Sequence, residues 1–97
     1  MYVLAAEVEF RIPLARSLKD RRQAITPILE GARRRFGSSA DEVGGQDTWQ
    51  RAQLGFAVVA SAPSMAEEVM DSVERFVWSF PEVEVVATRR AWLAPEG

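Results

Sequence analysis

The residues of this chain that could do chemistry are carboxylates, arginines and tryptophans, because its 97 residues include neither histidine nor cysteine. Without them there is no serine–histidine triad, thiolate nucleophile, disulfide or sulfur-ligated metal site. An enzyme would have to rely on carboxylates, arginine or tyrosine alone. We therefore expect a protein that is not an enzyme and that binds no metal or cofactor.

Four glutamates remain as candidates for acid–base chemistry or for binding a divalent cation. They form two pairs with a spacing of two residues, which places each pair on one face of a strand: Glu7 with Glu9, and Glu82 with Glu84. Hard-cation sites usually gather more oxygen ligands from loops and helix ends. The alternative, which we favour, is a solvated sheet face balanced by Arg11 and Arg90.

A basic cluster surrounds the beginning of the first predicted helix and consists of Arg16, Lys19, Arg21 and Arg22. Cations oppose the helix dipole there, whereas free backbone N–H groups at a helix start favour phosphate. Arg33 falls within about 60° of Lys19 and Arg22 in helical projection. We predict that these residues, together with Arg51, bind an anionic partner.

Internal pairing is the alternative explanation for these cations. Residues 17–36 carry a net charge of +4, and residues 64–80, which form the second predicted helix, carry −3. If the two helices are neighbours, their charges could neutralise each other without an external partner.

Three tryptophans, Trp49, Trp78 and Trp92, are candidate contacts with another molecule. Trp49 lies beside a glycine-rich loop and could simply anchor that loop. Trp78 projects away from the apolar side of the second helix, unless it packs against the first helix or the following turn. Trp92 is predicted to share the open face of the sheet with Val86.

The first half of the chain predicts a strand, a helix and an edge strand. Alternation over Tyr2–Phe10 is typical of a half-buried strand. Ser17, with Asp20 three residues later, predicts the N-cap of a helix over residues 18–36, which bends at Pro27 and ends at Gly37. Leu18 begins its apolar stripe. Residues 38–44 form a weak edge strand, followed by a loop over residues 44–47.

The second half predicts a strand over Arg51–Ser61, a helix from Pro63-Ser64 to Phe80, and a strand over Glu82–Leu93. Ser64 and Glu67 form the expected capping box of this helix, and Pro81 ends it. In the last strand one face carries Val83, Val85, Ala87, Ala91 and Leu93. The other face carries Val86, Thr88, Arg90 and Trp92.

The element order β-α-β-β-α-β predicts an α+β, ferredoxin-like domain over residues 1–97. Its four-stranded antiparallel sheet has the order 4-1-3-2, with both helices on one face. The open faces of the central strands carry no aromatic ring, so bases are not expected to stack there. Any RNA contact should involve the first helix and the 44–51 loop. There is no apolar run long enough for a membrane span and no basic leader, so we expect a cytoplasmic protein.

Charge is unevenly distributed along the chain. The net charge is −2, yet residues 1–51 hold nine Lys and Arg against seven Asp and Glu, and residues 52–97 hold three against seven. The overall balance is unlike that of most nucleic-acid binders, which are basic. A nucleic-acid interface would therefore have to be local.

Three stretches resemble the YlxP-like family of small bacterial proteins of unknown function. They are Ala-Arg-Ser-Leu-Lys-Asp-Arg-Arg at 15–22, Arg35-Phe36, and Gln-Asp-Thr-Trp-Gln-Arg-Ala at 46–52 leading into Leu54-Gly55. The resemblance spans nearly the whole chain and implies a ferredoxin-like fold. Genes of this family often adjoin translation-initiation and ribosome-maturation genes, which implies a ribosome- or RNA-linked role. No catalytic residue is established for the family. This chain has Gly45 where relatives commonly carry His.

Two functions are consistent with these observations. The first is a translation-linked accessory protein that binds ribosomal RNA or a ribosomal subunit through its basic first helix. The alternative is a homo-oligomeric interaction or ligand-sensing module, such as a dimer, with no nucleic-acid role. Small residues on the open sheet face, Ala5, Gly55 and Ala57, favour contact with a second chain.

Overall fold

A computed structural model of the protein describes residues 1–45 and 48–93. Its elements follow the predicted order. They are β1 (Tyr2–Arg11), α1 (Leu18–Phe36), β2 (Ser39–Gly44), β3 (Arg51–Ala60), α2 (Pro63–Trp78) and β4 (Glu84–Leu93). Gln46 and Asp47 of the predicted loop lie outside the described residues.

The sheet has the strand order β2-β3-β1-β4, and all three neighbouring pairs are antiparallel. Read from the other edge, this is the predicted 4-1-3-2 order. Both helices contribute to one apolar core with β1 and β3. The structure thus confirms the α+β, ferredoxin-like prediction.

Alternation along β1 and β3 decides which face of the sheet is buried. Leu4, Val8 and Phe10 are buried, and their register partners on β3 are also buried. Side chains of successive residues point to opposite faces of a strand. The odd-numbered residues of both strands therefore form the face that the helices leave uncovered, which we call the open face.

The beginning of α1 is capped as the sequence predicts. The Ser17 Oγ accepts a hydrogen bond of 3.1 Å from the Asp20 backbone N–H, and the Asp20 carboxylate accepts one of 3.0 Å from the Arg16 backbone N–H. Gly37 ends the helix with a φ of 65°, a conformation that suits glycine. Leu18 is 56% exposed, so the prediction that it begins the buried apolar stripe of α1 is wrong. Arg21 occupies the buried position one turn before Ile25 instead.

The beginning of α2 differs from the prediction. Its N-cap is Ala62, which makes no side-chain capping bond, and both Ser64 and Glu67 are exposed. The helix starts at Pro63 because proline has no N–H to satisfy and its φ already suits the first helical position. The predicted Ser64–Glu67 capping box is therefore wrong.

A register shift in β4 overturns the predicted assignment of its two faces. Glu9 pairs with Ala87 and Phe10 pairs with Val85, so Val86 is an extra residue between them. A bulge of this kind exchanges the faces of every residue beyond it. Arg90 and Trp92 therefore point to the helix side, opposite Ala6 and Leu4. The open face of β4 carries Ala87, Arg89, Ala91 and Leu93.

Within the described ranges 1–45 and 48–93, no helix is long and apolar enough to span a lipid bilayer.

Candidate nucleic-acid interface

Arg21 organises one end of the molecule. Its side chain is 7% exposed and its Nη1 lies 2.7 Å from Glu42 Oε1 on β2. The same guanidinium donates through Nη2 to the Gly45 carbonyl at 3.1 Å and through Nε to the Arg51 carbonyl at 3.3 Å. Its rigid fork of donors suits three acceptors at once. Arg21, predicted to face an anionic partner, thus joins α1 to β2, β3 and the intervening loop.

Further hydrogen bonds tie the β1–α1 loop to the loop before β3. The Ile12 N–H donates to the Gln50 carbonyl at 2.9 Å, and Gln50 Nε2 donates to the Ala15 carbonyl at 3.2 Å. Both loops are therefore held beside the first turn of α1. Trp49, which precedes Gln50, is 52% exposed at this end.

Exposed cations lie around these two loops. Arg16, Lys19, Arg22 and Arg51 are all exposed. None of these four side chains forms an ion pair within 4 Å with a carboxylate of residues 1–45 or 48–93. We call these four side chains the basic end. It contains four of the six predicted anion-binding residues.

Arg11 also adjoins the basic end, although it was not among the predicted anion-binding residues. It is the register partner of Arg51 on β3, and both residues lie on the open face. Like charges directly opposite each other on neighbouring strands are destabilising. Glu84 is the partner of Arg11 on the other side. Extending the alternation of β1 by one residue would have identified this position.

Arg33 is displaced from the basic end. Its Nε donates to the Ala40 carbonyl of β2 at 3.0 Å, and Nη2 donates to the same oxygen. It lies 14 residues beyond Lys19, which is about 21 Å along a helix. The angular proximity of Arg33 to Lys19 in projection therefore does not place the two side chains together.

Two of the four acidic groups of α2 are engaged by β4, and none by α1, in the described residues. Arg90 Nη2 lies 2.7 Å from Asp71 Oδ1 and also contacts the Glu74 carboxylate. Hydrogen bonds to Glu74, and then to Asp71, raise the pKa of Arg90 against the opposing effect of burial. Across the described residues, no ion pair joins α1 to α2.

The other two predicted contact tryptophans lie elsewhere. Trp92 packs edge-to-face against Tyr2, with the ring centroids 6.4 Å apart, at the opposite end of β1 from Arg11. Its predicted position on the open face is therefore wrong, because the extra residue at Val86 turns the side chain of Trp92 to the helix side. Trp78 is 64% exposed near the C-terminus of α2.

Of the two arginines predicted to balance the glutamates, Arg11 is the register partner of Glu84, but Arg89 takes the place predicted for Arg90. Glu7 Oε2 lies 2.6 Å from Arg89 Nη2, whereas Arg90 points to the helix side. In the part of the chain that the structure describes, no group of three or more acidic side chains is arranged to hold a metal ion. The arrangement fits a balanced, solvated face.

Comparison with known proteins gives a family but no activity. Residues 3–90 match the family described as "Protein of unknown function (DUF503)". The chain is 41% identical over 87 residues to "Uncharacterized protein YlxP" of Bacillus subtilis (strain 168), covering 90% of this chain and 95% of that protein. The designed protein "De novo designed protein Foldit4" shares the fold, with a TM-score of 0.55 at 12% identity, over 97% of this chain and 99% of that one.

Proposed function

The chain belongs to the DUF503 family, and from the geometry of its basic end we propose that it is a translation-linked accessory protein that binds ribosomal RNA. The main support for this proposal is that the charges of the two helices do not neutralise each other. Arg90 engages two of the four acids of α2, Asp71 and Glu74, and no acid of α2 pairs with α1 in the described residues, so Arg16, Lys19 and Arg22 stay exposed at the start of α1. These cations are positioned to bind phosphate.

The loops beside the basic end add a second kind of contact. Trp49, two residues before Arg51, offers an exposed ring. Single-stranded RNA is commonly bound by stacking bases on aromatic side chains between phosphate contacts. The central strands present Val3, Ala5 and Glu7 on the open face instead of rings. The proposed RNA surface therefore lies at the end of the sheet and not on its open face.

Family resemblance points in the same direction. Neighbouring translation-initiation and ribosome-maturation genes, which the YlxP-like resemblance implies, favour ribosomal RNA or a ribosomal subunit as the partner. The basic end makes phosphate contacts that depend little on sequence. An accessory role in subunit assembly or initiation would fit a partner of this kind.

The test is co-sedimentation with purified ribosomal subunits, together with filter binding to a ribosomal RNA fragment, at two salt concentrations. We expect K19E/R22E to bind at least tenfold more weakly than the natural chain. Its binding should also depend less on salt: the slope of log K against log salt concentration should be smaller by about 0.7–0.9 for each phosphate that is no longer neutralised. R34E/R75E is the matched control, because it changes the net charge equally at exposed positions away from the basic end. Equal weakening of both variants would indicate a general charge effect, and unchanged binding of K19E/R22E would refute the proposed surface.

A further inference from the structure

The strand register arranges the open face in rows that change from apolar to charged. The first row consists of Val59, Val3 and Leu93, and the second of Ala57, Ala5 and Ala91. Val59 and Leu93 are each 65% exposed. Six adjacent residues without a polar side chain thus form a flat apolar surface across β3, β1 and β4.

The third row carries charge and also one residue without a side chain. From β2 to β4 it contains Asp41, Gly55, Glu7 and Arg89. A Cβ at Gly55 would lie 2.8 Å from Val43 Cγ1, so the absence of a side chain lets Val43 fold over this position. The row therefore has a negative charge at one edge, on β2, and at the other edge, on β4, the Arg89 guanidinium, which lies 2.6 Å from Glu7 and keeps further donors for a second carboxylate.

We propose that the open face binds a second copy of this chain, with a two-fold axis parallel to the strands between β1 and β3. Aligned packing of two sheets is the common arrangement for apolar sheet faces. The axis sets β3 against the partner's β1 and β2 against the partner's β4. Ala57 then meets the partner's Ala5, and small side chains in both layers allow close approach of the sheets.

Charge complementarity favours a second copy as the occupant. The axis carries each row onto itself but exchanges its two edges, so Asp41 faces the partner's Arg89 and Arg89 faces the partner's Asp41. One self-complementary surface makes both contacts, as an isologous interface requires. In the third row the charge pattern thus matches its own two-fold image, whereas at the end of the face the axis sets Arg51 opposite the partner's Arg11, a like-charge contact that Asp41 and Arg89 must outweigh.

The arrangement has a consequence that rests on the proposed RNA function. Because the axis is parallel to the strands, Arg11 and Arg51 of both copies lie at the same end of the dimer. The dimer would thus present two basic ends on one side and could bind one RNA through both, which increases avidity.

The test is sedimentation velocity over a wide range of protein concentrations in the absence of RNA, so its outcome does not depend on RNA binding. We expect a reversible dimer for the natural chain. D41R alone and R89D alone each create two like-charge contacts, so each should dimerise about tenfold more weakly or worse. An equimolar mixture of D41R and R89D restores both opposite-charge contacts and should dimerise again.

A second pair of variants serves as the control. E67R makes the same change of charge as D41R, and R75D the same change as R89D, but both lie on α2, away from the open face. Each should therefore dimerise like the natural chain. A natural chain that stays monomeric at every concentration would overturn the proposal. So would a D41R and R89D mixture that dimerises no better than either variant alone.

An independent measurement uses the absence of cysteine from the chain. A5C mixed with A57C should be joined by a short bismaleimide, whereas S64C, on the helix side, should not be joined to either. Circular dichroism establishes that each variant is folded. If A5C with A57C is joined no faster than the S64C mixtures, the proposed axis is wrong.

Discussion

Arg21 on α1 and Glu42 on β2 form an ion pair of 2.7 Å with side chains that are 7% and 21% exposed. Elsewhere in the described residues, ion pairs hold side chains that are at least 17% exposed. Arg21, although it belongs to the predicted basic cluster, thus uses its guanidinium for contacts within the protein. Its role is to hold the segment that carries Trp49 and Arg51 against the beginning of α1.

Replacing Arg21 should therefore destabilise the protein strongly. Removing one member of a buried pair leaves the other uncompensated, which costs about 3–5 kcal/mol. Glu42 retains some solvent, so we expect about 3 kcal/mol for Arg21→Met, measured as the free energy of unfolding in urea. Arg22→Met, at the exposed neighbouring position, should change it by less than about 0.5 kcal/mol. Similar values for the two variants would mean that the Arg21 contacts contribute little to the fold.

The Arg90 pairs should stabilise the docking of α2 on β4. Arg90→Ala removes contacts to both Asp71 and Glu74, whereas Arg89→Ala removes a single contact between side chains that are 79% and 54% exposed. Exposed pairs contribute about 0.2–1 kcal/mol. We expect Arg90→Ala to lower the free energy of unfolding by about 1 kcal/mol, and Arg89→Ala by clearly less.

The pH dependence of the Arg90 contribution has a definite sign. The folded pKa of Arg90 is raised above the ordinary arginine value. Its stabilising contribution is therefore complete below the unfolded pKa and is lost only as the pH rises through the folded one. The difference between Arg90→Ala and the natural chain should stay constant from about pH 7 to about pH 10. A difference that disappears within this range would show that another group is responsible.

Trp49 should report RNA binding directly. In a W78F/W92F background it is the remaining tryptophan of the chain, so its fluorescence should be quenched when a base stacks on the ring. Trp49→Ala should weaken binding to a single-stranded fragment by about 1–3 kcal/mol. It should do so with little change in salt dependence, since every cation that neutralises phosphate is retained. Binding that Trp49→Ala leaves unaltered would restrict the interface to the basic side chains.

Much of the fold could be predicted from local pattern. The alternation of β1 and β3, the Ser17 cap and the Gly37 stop depend on residues a few positions apart, so the sequence specifies them directly. The order of the elements then restricts the sheet to few topologies. The approximate position of the basic end follows from the same information, since Arg16, Lys19 and Arg22 occupy one short segment.

Only the tertiary structure decided which charges remain available. One extra residue at Val86 reverses the faces of Arg89, Arg90 and Trp92, and no local pattern marks that bulge. Arg21 is buried because Glu42 and two backbone carbonyls converge on it from distant parts of the chain. Such pairings depend on strand register and on packing over long sequence separations. Composition and periodicity therefore specify the elements, whereas three-dimensional pairing separates the cations that hold the fold from those left exposed.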